Sequence, residues 1–76
     1  MPQPLPILME NSLQIAWDYL ERSGELGEPE VANRFLLDSV EQMVRHGERR
    51  QLALSNRAID AYKRFRMERA GLSLVS

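Results

Sequence analysis

Cysteine is absent from this 76-residue chain, which excludes a disulfide framework and any thiolate metal site. Histidine occurs once, as His46. Zinc needs several ligands, and a serine or cysteine triad needs a histidine with a matched nucleophile and an orienting third group, so His46 alone supports neither. No apolar run approaches the roughly 18 residues of a membrane span. The opening MPQPLPILM lacks the basic stretch and long apolar stretch of a secretion signal, and the expected location is cytoplasmic. Also missing are a P-loop, a dinucleotide fingerprint, an HExxH pair, an EF-hand and a CxxC. The chain is therefore expected to be non-enzymatic, with no cofactor and no metal. There is no strand-like alternation, no internal repeat and no low-complexity segment beyond three early prolines.

What is present points to one small helical domain. Hydrophobic residues make up 43% and charged residues 28%, a balance that folds rather than stays disordered. So short a chain builds a small core, and area bookkeeping against conformational entropy comes out near zero at this size. With no disulfide or metal to add stability, self-association is the simplest remaining source. The net charge of −1 hides a polarised layout. Through Val44 there are eight acids and two bases, and from Arg45 onward eight bases and three acids. The favoured meaning is mutual neutralisation between packed helices, within or between chains; a basic surface for nucleic acid is the alternative.

Prolines at 2, 4 and 6 suggest a polyproline-like tail over residues 1–10. The single domain then covers 11–71. Asn11 with Gln14 three residues on reads as a capping box opening a helix over 12–23, which Gly24 ends. Leu13, Ala16, Trp17 and Leu20 form one face at helical spacing, widened by Ile15 and Tyr19. Pro29 suits the first position of the central helix, 29–46, and Glu28 and Glu30 suit its positive end. The last helix is placed over 50–70, with Gly71 as a left-handed cap, Leu72 folding back toward Met67, and a tail over 72–76.

The central helix carries the strongest signal. At about 100° per residue, Val31, Phe35, Ala32, Met43, Leu36, Val40, Val44 and Leu37 fill an arc of roughly 240°. A helix facing two neighbours in a bundle accounts for about 140° to 180°. The sequence therefore predicts an all-α, three-helix bundle with antiparallel neighbours whose excess apolar surface is shared in a homodimer. Leu36, Leu37, Val40 and Val44, joined by Ile15, Tyr19 and Leu54, are the expected self-association residues.

The rival reading uses Arg49, Arg50, Arg57, Lys63 and Arg64 as a basic surface for nucleic acid or for an acidic protein partner. The run Tyr62-Lys63-Arg64-Phe65-Arg66 interleaves aromatics with bases, as such surfaces often do. Against it, Tyr62 and Phe65 fall inside the apolar stripe of their helix, and the sequence pI of about 5.8 is acidic. An 18-residue central helix also suits a helix-turn-helix poorly, and the early prolines spoil the leading strand of a ribbon-helix-helix.

Overall fold

Pro4 and Pro6 open the first helix instead of forming a tail; residues 1–3 of the expected tail, with Pro2, lie outside the described residues. The computed structural model describes residues 4–75, with side chains through residue 69. Helix α1 runs Leu5–Arg22, α2 runs Pro29–Arg45 and α3 runs Gln51–Val75. Pro4 takes the extended conformation of an N-cap (φ −55°, ψ 145°), and Pro6 falls in the first turn. There a missing N–H costs nothing, because the first amides of a helix have no partner, and the ring presets φ near the helical value. Asn11 therefore lies inside α1, not at its start, and the Gln14 side chain donates to Asp18 (2.9 Å) rather than reaching back to a cap. Leu8 is buried and Met9 packs on the core, so the added turns are anchored by apolar contact.

The central helix falls where Pro29 and Gly47 placed it, with His46 as the capping residue. The imidazole Nδ1–H of His46 donates to the Gln42 carbonyl (2.7 Å). At the end of α1, Gly24 adopts φ +75°, a left-handed turn that glycine enters without steric cost. Helix α3 starts within a residue of the expected position, but it does not stop at Gly71, which lies inside the helix. The expected fold-back of Leu72 onto Met67 lies outside the described side chains.

All three helix pairs are in contact, α1 with α3 most extensively. The core takes every fourth residue of the first two helices: Leu8, Ser12, Ala16 and Leu20 from α1, and Ala32, Leu36, Val40 and Val44 from α2. Helix α3 supplies Leu54, Ser55, Ala58, Ile59 and Tyr62. Ser12, Ala16, Ser55 and Ala58 are small and fully buried, which lets helix axes approach closely. Each buried serine hydroxyl donates to a carbonyl one turn earlier, Ser12 to Leu8 (2.8 Å) and Ser55 to Gln51 (3.1 Å). Among the described residues no buried side-chain polar atom lacks a partner.

This packing corrects the reading of the wide arc. Leu36, Val40 and Val44 enter the same core on which Phe35 packs, and Leu54 is fully buried there too. These four are covered within one chain and present nothing to a second. The arc is absorbed because α2 touches both other helices, and the side chains at its edges, Val31 and Leu37, are only half-buried. Charge neutralisation between the two halves is also less direct than expected. Of the ion pairs among the described residues, Lys63–Glu25 (3.6 Å) alone joins α3 to the acidic half. Arg45–Glu41 lies within α2, and Arg50 and Arg57 both turn to Glu48.

Candidate interaction surface

Two side chains of α3 clamp the α1–α2 connection. Leu26 tucks into the core, and its carbonyl accepts the Tyr62 hydroxyl. One turn further along α3, the Arg66 guanidinium donates to the Glu25 carbonyl. Between them sits Gly27 at φ +69°, where a Cβ would lie 3.2 Å from the Arg66 guanidinium carbon and 3.4 Å from the Tyr62 hydroxyl oxygen. Only glycine gives both the left-handed turn and the close approach. Beside Arg66, Lys63 donates to the Tyr19 hydroxyl (3.2 Å) and lies 4.9 Å from that ring's centroid. The Tyr19 hydroxyl, with help from the Glu25 carboxylate, raises the Lys63 pKa above its ordinary value.

Above this clamp α3 outruns the bundle. Arg66, Met67, Glu68 and Arg69 are all exposed, Met67 at 73%. The helix continues from there to Val75, a further six residues or about 9 Å at 1.5 Å per residue. The projection and the start of α2 form two walls of an open notch of about 490 Å³. Val31 and Phe65 lie at its base, Glu28 is on the α2 wall, and Arg66 and Arg69 are on the α3 wall. Phe65 stacks on Phe35 (centroids 4.7 Å apart), Phe35 tilts against Tyr62 (5.5 Å), and the Arg69 guanidinium lies 5.4 Å from the Phe65 ring centre. A second shallow groove continues along α2 past Glu30, Arg34 and Asp38.

The residues singled out in the sequence are scattered relative to this notch. Of the self-association set, Leu36, Val40, Val44 and Leu54 are core, Leu37 and Ile15 are half-buried, and Tyr19 is 46% exposed. Ile15 and Tyr19 border a separate groove on α1 with Asp18 and Arg22. The basic set is not gathered either. Arg49 donates to the Val44 and Glu48 carbonyls (2.7 and 2.9 Å), Arg50 and Arg57 approach the Glu48 carboxylate (3.1 and 3.8 Å), and Lys63 is held by Tyr19 and Glu25. Arg64 is exposed on α3, four helical turns or about 20 Å beyond Arg50. Four of the five bases already serve the fold, so they make a poor phosphate-binding stripe.

Glu48 went unremarked in the sequence, yet it organises the second connection. Its carboxylate accepts the Arg49 and Arg50 backbone N–H groups (3.1 Å each) where α3 begins. The Arg50 guanidinium, together with these amides, lowers its pKa to about 2. An acid just ahead of a helix is a signal legible in sequence. The roles of Gly27 and Arg66 depend on contacts across more than thirty residues, which no local pattern announces.

Among the described residues there is no group of three or more His, Asp or Glu side chains arranged to hold a metal, and no helix is long and apolar enough to cross a membrane. Comparison with known proteins finds no matching family model, no matching curated protein and no matching solved structure. The structure by itself defines a small three-helix protein whose last helix extends past its own bundle.

Proposed function

We propose that this chain is a small, non-enzymatic helical interaction module that pairs with a second copy of itself. The projection of α3 beyond the bundle carries this reading. Most helical stability in a protein comes from packing an apolar face rather than from propensity, and a partner against the exposed turns supplies that packing. The charged groups beside the notch support the same view, because they brace the connection and the aromatic cluster instead of converging on one reactive point. The shared surface moves accordingly from the central helix, where the sequence placed it, to the end of α3. Light scattering on the full chain across a micromolar dilution series tests the proposal. A dimer whose melting temperature rises with concentration is the expected result, and a monomer throughout would overturn it.

A further inference from the structure

We infer that the notch between α2 and the projecting end of α3 is the seat of self-association, and that the end of α3 from a second copy occupies it. The inference rests on the pairing proposed above and adds where it happens and which charges direct it. The two walls of the notch carry opposite signs. Glu28 stands on the α2 wall, with Glu30 two residues on at the same helix start but bordering the neighbouring groove, and Arg66 and Arg69 stand on the α3 wall. Among the described residues none of these four takes part in an ion pair within the chain. Arg66 turns to a backbone carbonyl and Arg69 to the Phe65 ring.

A surface that carries an acidic wall and a basic wall side by side is complementary to itself under a two-fold rotation. The arginines of each copy then meet the glutamates of the other, and the contact closes at two copies. The base of the notch favours the same occupant. Val31 and Phe65 are half-buried, and Met67 on the exposed end of α3 is an apolar side chain that can cover them from a second copy. The helix dipole already accounts for acids at the start of α2; it does not account for Arg69, which lies beyond the clamp on the wall opposite them.

Charge reversal on the full chain tests this. Glu28, Glu30 and Arg69 are exposed, so Glu28→Arg with Glu30→Arg, and separately Arg69→Glu, leave the core untouched; far-UV circular dichroism and a thermal melt establish that each variant is folded. Arg66 is left alone because it braces the connection. By sedimentation equilibrium, each variant alone is expected to raise the dimer dissociation constant about tenfold or more. An equimolar mixture is expected to associate more tightly than either variant alone, because the reversed walls again face opposite charge. A wild-type dimer unaffected by either reversal, or two weakened variants that do not recover on mixing, would overturn this seat while leaving self-pairing intact. A wild-type monomer would overturn both.

Discussion

The two connections between the helices are held by different kinds of chemistry. Between α1 and α2, a buried tyrosine hydroxyl and an arginine reach backbone carbonyls 36 and 41 residues away in sequence, and a glycine makes room for them. Between α2 and α3, a carboxylate takes amides one and two residues ahead and draws in neighbouring guanidinium groups. The first is a tertiary lock, formed only when α3 has docked. The second is a local turn at a helix start, whose carboxylate hydrogen bonds all fall within two residues. Substitutions at the first should therefore weaken the whole cooperative unit, whereas those at the second should act on one helix start and depend on charge.

Tyr62→Ala should give the largest loss. It removes a fully buried aromatic and the lock together, which puts the expected destabilisation at about 3–5 kcal/mol, read as a lower denaturant midpoint. Tyr62→Phe isolates the hydroxyl. Leaving the Leu26 carbonyl buried without its donor should cost about 1–3 kcal/mol with little change in packing. Gly27→Ala should cost about 1–2 kcal/mol for the left-handed backbone alone, plus whatever the Arg66 side chain loses in giving way to the added methyl. If any of these left the melting temperature unchanged, the distinction between a tertiary lock and a local turn would fail.

The difference between the connections also explains how much of the fold could be read in advance. Helix number, the span of α2 and the start of α3 follow from periodicity and from Pro29, signals carried by residues within a turn of one another. Pro4 and Pro6 misled because proline breaks a helix interior yet suits a first turn, and which applies depends on whether Leu8 and Met9 find a core to cover. The wide arc on α2 misled for a related reason. Angular width measures how much apolar surface a helix has, and says nothing of how two neighbours divide it. Leu36, Val40 and Val44 became core because α1 and α3 both reach them, a fact set by small residues such as Ala16 and Ala58 on other helices. The notch was illegible for the same cause, since Glu28 and Arg69 are forty residues apart and meet only through the lock.

The smallest expected effect is the most specific to the local turn. Glu48 has its pKa lowered to about 2 from an ordinary 4.5, first by the Arg50 side chain and then by the Arg50 and Arg49 amides. In the unfolded chain it takes up a proton near the ordinary value, so between these two pH values the unfolded state binds more protons and stability rises with pH. Its contribution is therefore complete above the ordinary carboxylate range and is lost as pH falls through about 4.5 toward about 2. Glu48→Gln lacks that contribution at every pH. The gap in melting temperature between wild type and Glu48→Gln should be widest near neutrality, close across that acid window, and shrink with added salt, because the site is at the surface. The gap for Tyr62→Phe involves no carboxylate and should stay level over the same range. Parallel acid titrations of the three proteins thus separate the charged turn from the neutral lock, and a Glu48→Gln gap that did not close on acidification would show that the carboxylate holds the start of α3 by shape alone.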